Sequence, residues 1–127
     1  MSSPTTLAGG TYWFTSLNVT SELRFSGAAT VYVNGNITYS GDAFSAYNLI
    51  PGNLRIYQIG AGRTFSVTSS NIGALVASIK APRSDFSSEN NLKFYGDMLF
   101  NTISVKNNAE MYYDEAAASF LNIYTVK

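Results

Sequence analysis

The feature of this sequence that most constrains its fold is a strict alternation of side chains in residues 30–40, TVYVNGNITYS. Val31, Val33, Ile37 and Tyr39 fall on odd positions, and polar side chains fall mainly on the even positions between them. Because successive side chains point to opposite sides of a strand, this pattern predicts β-structure with one buried face. The NGN step in its middle predicts a bend or a tight turn, since Asn and Gly tolerate positive φ.

The same rhythm of a short β-prone run followed by Gly or Asn continues almost to the C-terminus. An internal echo runs through it, because residues 23–27 (LRFSG), 54–57 (LRIY) and 92–96 (LKFYG) share the order aliphatic, basic, apolar, polar. Short runs between such turns suit either an antiparallel sandwich or a solenoid of stacked parallel coils. The echo, the shortness of the runs and the scarcity of two-residue hairpin turns favour the solenoid. At about 20 to 25 residues per coil, the chain makes roughly five coils.

The length of 127 residues predicts one domain. We expect residues 1–9 to be a flexible N-terminal lead-in and residues 10–127 to form the β-helix domain with a C-terminal capping segment. Residues 81 and 82, Ala-Pro, predict the end of a strand. Residues 114–119, DEAAAS, predict a short helix, because good helix formers follow an Asp that can cap them. We expect that helix to cover the open end of the stack, whose unpaired backbone groups otherwise promote aggregation.

Composition excludes several functions. The chain has no His and no Cys, which removes Ser-His and Cys-His catalysis, disulfides and the common transition-metal sites. Eight basic and eight acidic residues cancel, and no run of like charge exists. The chain therefore offers no basic surface for nucleic acid or for an anionic membrane. No apolar run approaches the roughly 20 residues that span a bilayer. The start MSSP lacks the features of a signal peptide, which leaves a cytoplasmic protein or a piece of a longer exported chain.

The acidic residues do not form a catalytic pattern in the sequence. Asp42, Asp85, Asp97 and Asp114 are isolated from one another. Glycoside hydrolysis needs two carboxyl groups about 5 to 9.5 Å apart across a groove, and stacked coils can bring Asp85 near Asp97. We interpret both as solvated turn carboxylates. The prediction is therefore a protein that is not an enzyme and has no cofactor and no metal site.

A ligand-binding face is predicted from the echo. Its basic residues occupy equivalent places, so they are expected to form one outward file with tyrosines beside it, where Tyr rings stack on sugars of acidic or neutral glycans. The candidate ligand-binding residues are Arg24, Arg55, Lys93, Tyr32, Tyr57 and Tyr95. The alternative interpretation is a solvated exterior whose long side chains cover apolar neighbours.

Six motifs, taken in order, resemble those of a known family. They are GTYWF at residues 10–14, VYVNGNI at 31–37, PGNLRIY at 51–57, ASIKAP at 77–82, FYG at 94–96 and YYDEA at 112–116. From about residue 10 to residue 119 the chain resembles the uncharacterised β-helical domain of exported bacterial and archaeal surface proteins, often linked to a PilX-type pilus-assembly N-terminal segment. Tyr112 stands where that family often has His, and Lys80 where it often has Tyr.

The resemblance implies a right-handed parallel β-helix placed at the cell surface or outside the cell, with no established catalytic residue. We therefore predict an all-β fold, a single-stranded right-handed parallel β-helix of about five coils with a short C-terminal helix. The predicted role is a non-catalytic structural or adhesive module of an exported cell-surface or pilus-associated protein. Two alternatives stay open: a carbohydrate-binding or, less favoured, carbohydrate-degrading module, and a self-assembling filament subunit. The expected partners are another copy of the chain, other surface or pilus proteins, or a glycan.

Overall fold

A computed structural model of the protein describes residues 3–68, 74–89, 91–107 and 109–113. Within these ranges the chain is a β-solenoid of about five coils, in which every strand pairs in parallel with a strand of the next coil. The prediction of stacked parallel coils is confirmed, and the antiparallel sandwich is excluded. Right-handed winding stays a prediction, and the predicted helix at residues 114–119 lies outside the described residues.

The first three coils each contain three strands. The first coil has β1 (Thr5–Leu7), β2 (Gly10–Phe14) and β3 (Leu17–Val19); the second has β4 (Glu22–Phe25), β5 (Ala29–Val33) and β6 (Ile37–Tyr39); the third has β7 (Ala43–Ser45), β8 (Leu54–Gln58) and β9 (Thr64–Val67). In the fourth and fifth coils one long strand follows all three sides, and these strands are β10 (Leu75–Ser88) and β11 (Lys93–Val105). The short strand β12 (Glu110–Tyr113) continues the stack beyond β11.

The strands form three ladders along the stack. The first ladder contains β1, β4, β7, the start of β10, the start of β11, and β12. The second contains β2, β5, β8 and the middle of β10 and β11. The third contains β3, β6, β9 and the final parts of β10 and β11. Each coil therefore contributes one segment to each ladder.

The number of residues per coil varies along the chain, but the strands of successive coils still pair in the same register. Leu23, Phe44, Leu75 and Phe94 are in register on the first ladder, although 21, 31 and 19 positions separate them. All four are buried. The third coil therefore takes up extra residues between β7 and β8 without a change of register.

The interior is a set of apolar columns, one inside each ladder. Val31, Val33, Ile37 and Tyr39 are all buried, which confirms the alternation predicted for residues 30–40. Fully burying such a side chain contributes about 1.5 to 3 kcal/mol. Burial also raises the pKa of the Tyr39 phenol, with the nearby Asp42 carboxylate acting in the same direction. Aromatic rings from different ladders meet in the interior, where ring centroids lie 5.2 to 6.5 Å apart between Phe44 and Phe65, Phe65 and Phe86, and Phe86 and Phe100.

Two boundaries differ from the sequence prediction. Thr5–Leu7 pairs with β4 in register, so the stack begins inside the segment predicted to be a flexible lead-in. Pro82 does not end the fourth coil, because β10 continues through it. The pairing of β10 with β11 shifts between Ala81 and Asp85, and this irregularity accommodates a residue that lacks an N–H donor.

Corners bring the backbones of successive coils close together. The Asp42 N–H donates to the Ser21 carbonyl oxygen at 2.8 Å, next to Gly41. A Cβ atom on Gly41 would lie 1.8 Å from that same oxygen. The corner therefore has room for glycine and for no larger residue.

We expect Gly41→Ala to lower the free energy of unfolding by about 1 to 3 kcal/mol, the usual range for overpacking. Chemical denaturation followed by circular dichroism measures the change. Gly27→Ala is the matched control, because its Cβ would meet the backbone of Gly9 at the milder distance of 3.2 Å. Equal losses in the two variants would contradict the close approach at Gly41.

Candidate functional site

One connection departs from the regular stack. Residues 46–53 join β7 to β8 in the third coil, whereas only residues 26–28 make the same connection in the second coil. The segment contains two 3₁₀ turns, Tyr47–Leu49 and Pro51–Asn53. The Asn53 side-chain amide donates to the Tyr47 carbonyl oxygen at 3.2 Å and ties the two turns together. We name residues 46–53 the insertion loop.

The insertion loop presents apolar side chains to solvent on an unusual backbone. Leu49 is 65% exposed, Ile50 is 51% exposed, and Tyr47 is also exposed. Asn48 and Leu49 have φ of 55° and 54°, in the left-handed region. That region costs a non-Gly residue roughly 1 to 2 kcal/mol, and Leu is rare there. Strain of this kind is concentrated at functional segments, so the loop is a candidate contact site.

The insertion loop also covers part of the outer face of the stack. Ser78 and Asp97 alternate with inward residues on the second ladder, yet they are 0% and 4% exposed. The turn Pro51–Asn53 contacts β10 and β11 at this place. A Cβ on Gly96 would lie 3.2 Å from the Pro51 Cβ, and Gly96 has a φ of 142°. The second turn of the loop is therefore packed against two later coils, and the bond from Asn53 to Tyr47 links the first turn to it.

Three aromatic rings stack on the exterior of the second ladder, and we name them the aromatic column. Ring centroids of Trp13 and Tyr32 lie 4.2 Å apart with planes at 15°, and those of Tyr32 and Tyr57 lie 5.3 Å apart with planes at 18°. Strand register produces this arrangement, since the three residues are direct partners across β2, β5 and β8. The next two residues in register are Lys80 and Leu99, so the column ends at Tyr57.

The stacking decides what the aromatic column can bind. A sugar ring stacks on the negative face of an aromatic ring, so the face must be free. Both faces of Tyr32 are covered, by Trp13 and Tyr57, and the column does not form a flat sugar-binding platform. A free face occurs at the Trp13 end, where the ring is 69% exposed. At the other end Lys80 is in register with Tyr57, which is only partly exposed.

Two grooves lie beside these features. The first, which we name the basic groove, has a volume of about 260 Å³ and is lined by Tyr57, Gln58, Ile59, Lys80, Pro82 and Arg83. The second, with a volume of about 340 Å³, separates the insertion loop from the second ladder and is lined by Ala28, Ala29, Thr30, Ile50, Gly52, Asn53 and Arg55. Both grooves therefore lie on the second ladder.

The predicted file of basic residues does not form. Arg24 lies on the first ladder in register with Ser45, and its Nη2 donates to the Glu22 carboxylate at 2.8 Å. Arg55 lies on the second ladder, in register with Thr30 and Ser78. The prediction of a single file was wrong because Arg55 lies on a different ladder from Arg24, and on the first ladder the residue in register with Arg24 on β11 is Tyr95, not Lys93.

The third basic residue and the tyrosines are also divided between ladders. Lys93 begins β11 opposite Glu110 on the first ladder. Tyr32 and Tyr57 are brought together in the aromatic column, whereas Tyr95 stacks on Tyr112 with centroids 4.7 Å apart. The Glu110 carboxylate, followed by Tyr95, raises the pKa of the Tyr112 phenol. Ligand binding by these residues stays a prediction.

Sequence reasoning missed four features of the second ladder: Trp13, Lys80, Arg83 and the insertion loop. The alternation in GTYWF gave a signal for Trp13, because Tyr12 and Phe14 pack against the core and Trp13 between them must point outward. No sequence pattern identified Lys80 as the end of a column, since that depends on register across coils of unequal length.

The carboxylates Asp85 and Asp97 lie on different ladders. Asp85 is exposed on the third, where it accepts hydrogen bonds from the Thr102 hydroxyl at 2.7 Å and the Asn101 amide at 3.1 Å. These bonds, that of Thr102 first, lower the pKa of Asp85. Asp97 is buried under the insertion loop, so its interpretation as a solvated turn carboxylate was wrong. Among the described residues, no group of three or more acidic side chains is placed to hold a metal ion.

Comparison of the chain with protein-family models, with curated proteins and with solved structures gives no match. The family membership inferred from the six motifs therefore stays a prediction. Within the ranges described above, no helix is both long and apolar enough to cross a membrane.

We expect Tyr32→Ala to lower the free energy of unfolding by about 1 to 3 kcal/mol, because two stacked pairs at about 0.5 to 1.5 kcal/mol each are lost. Trp13 is the single tryptophan of the chain, so acrylamide quenching of its fluorescence should increase as well. Tyr95→Ala is the control, since it removes the stack on Tyr112 and leaves the surroundings of Trp13 intact. Unchanged quenching in Tyr32→Ala would show that the column does not exist in solution.

Proposed function

We propose that this domain is a non-catalytic structural or adhesive module of an exported cell-surface or pilus-associated protein. The observation that carries the proposal is the insertion loop, which holds Leu49 and Ile50 exposed at the side of an otherwise regular stack. Adjacent exposed apolar residues are typical of interaction sites, whereas single ones are normal on any surface. Placement outside the cell is supported by the resemblance of the six motifs.

The solenoid is well suited to present such a loop. Its interior is filled by columns of buried side chains that continue from coil to coil, so the stack is a stiff support. Binding residues are often carried by loops on a rigid scaffold of this kind. A loop whose second turn already packs against β10 and β11 also loses less conformational entropy on contact.

The adhesive role is tested with beads that carry the domain and are exposed to flow over a methyl-terminated monolayer. We expect Leu49→Asn combined with Ile50→Asn to reduce bead retention several-fold, because the exposed apolar surface is removed. Asn accepts the left-handed backbone at position 49 more readily than Leu does, so the loop should keep its conformation.

Ile59→Asn is the matched control, because Ile59 is similarly exposed but directly follows β8, at the opposite end of that strand from the loop. Equal retention of the wild type, the double variant and the control would refute adhesion through the insertion loop. The placement is examined separately by protease treatment of intact source cells, in which an exported domain is degraded and an internal one is protected.

A specific observation also favours the second candidate, a self-assembling filament subunit. Within the described residues, β1, β2 and β3 pair only with strands of the second coil. The Gly10 N–H and the Phe14 carbonyl bond towards the second coil, so the backbone groups of Thr11 and Trp13 between them face the open edge. An open parallel edge is a template for a strand of another molecule.

If copies stack on this edge, sedimentation velocity should show larger species as the protein concentration rises. Thr11→Pro removes an edge donor and leaves the bonds to the second coil in place, so it should shift the distribution towards monomer. Thr11→Val keeps the N–H and serves as the control. A monomer at all concentrations, in all three proteins, would eliminate this candidate.

A further inference from the structure

The basic groove is a surface feature distinct from the insertion loop. It lies where the aromatic column ends, on the side of Tyr57 that is not covered by Tyr32. Two of its six lining residues, Lys80 and Arg83, are cations, and none is acidic. The chain as a whole has a formal net charge of zero, so this excess of positive charge is local.

We propose that the basic groove binds a hexuronic acid residue of an acidic polysaccharide. The apolar part of the groove fits the C–H face of a sugar ring, because Pro82 and Ile59 are exposed there and part of the Tyr57 ring is accessible beside them. The cationic part fits the ring carboxylate. A volume of about 260 Å³ is below the roughly 300 to 1,000 Å³ of pockets for drug-sized ligands, so one sugar ring is the natural occupant.

Arg83 is held in a position suited to this role. Its Nη2 donates to the Ile59 carbonyl oxygen at 3.3 Å, a bond that joins the third and fourth coils. Guanidinium has five N–H donors, so most stay available for a carboxylate, which it can bind through two parallel hydrogen bonds. The neighbouring Ser84 hydroxyl donates to the Gly60 carbonyl oxygen at 3.2 Å and fixes the same corner. The guanidinium is therefore anchored before a ligand arrives.

Lys80 supplies the second charge from a different direction. It is in register with Tyr57 on the next coil, so its ammonium group extends beside the Tyr57 ring at the edge of the groove. A sugar ring in the groove would then rest on Pro82 and Ile59, with Lys80 at one side and Arg83 at the corner. The arrangement selects a ring that is both flat on one face and negatively charged, which excludes neutral sugars as strong ligands.

The test is a titration of the ¹⁵N-labelled domain with trigalacturonic acid at 50 mM NaCl, followed by amide chemical shifts. We expect saturable shifts in residues around the groove. The methyl ester of the same trisaccharide has the same rings without the charge, and we expect it to bind at least tenfold more weakly. Arg83→Gln and Lys80→Gln should each weaken binding of the acid about tenfold, and both positions are solvent-accessible, so the fold should persist.

Lys106→Gln is the matched control for loss of one positive charge, because Lys106 is exposed on the connection after β11, away from the groove. It should bind trigalacturonic acid like the wild type. Absence of saturable shifts, equal binding of acid and ester, or equal weakening by Lys106→Gln would each overturn the proposal.

This inference does not rest on the adhesive role of the insertion loop, and the two can fail separately. The double variant at Leu49 and Ile50 should keep its affinity for trigalacturonic acid, whereas Arg83→Gln should keep its retention on the methyl-terminated monolayer. Loss of both properties in either variant would show that the two surfaces are one site and would overturn the assignment of uronate binding to the basic groove.

Discussion

The structure depends on one constraint: parallel strands in register place each side chain against its counterpart on the next coil, about 4.8 Å away. Each side chain therefore packs against one side chain on the coil before it and one on the coil after it. A residue of the wrong size or polarity disturbs the packing of both neighbours. Leu17, Ile37, Phe65 and Phe86 satisfy this requirement inside the third ladder. The same rule acts on the exterior, where it brings Trp13 above Tyr32. In-register pairing alone is therefore enough to stack aromatic rings, whether or not the rings bind a ligand.

The constraint applies to side chains in the ladders and to corner backbones, but it leaves the connections free to vary. At Gly41 the next coil approaches so closely that no side chain fits. Between β7 and β8, by contrast, the insertion loop extends outward, and β8 is still in register with both β5 and β10. Extra residues therefore cost the solenoid little when they leave the stack and return to the same column. This explains how one coil gains a protruding loop while its neighbours stay regular.

The sequence predicted the interior better than the exterior, and the reason is physical. Alternation is local, so the buried faces of Val31, Val33, Ile37 and Tyr39 follow from the order of the residues alone. Register is not local, because it depends on how many residues each coil uses. Leu54 and Leu23 look equivalent in the sequence, yet Leu54 is in register with Ala29 on the second ladder. Of the predicted tyrosines, Tyr32 and Tyr57 are therefore brought together, because they lie in register on adjacent coils, while their role in binding stays a prediction.

Repetition and function oppose each other in such a fold. In a feature that recurs from coil to coil, such as an aromatic column, neighbouring side chains cover one another's faces. This stacking stabilises the solenoid but leaves little ring surface for a ligand to contact. A different surface arises only where the repetition stops, and on the second ladder it stops at Lys80. The same break introduces a charge beside the ring of Tyr57, while Arg83 is fixed to the preceding coil by its bond to Ile59. The insertion loop is likewise a departure from the repeat, and it lies on the third coil as Tyr57 does. Since neither departure is needed for stacking of the coils, these are the positions that selection for binding can change without unfolding the domain.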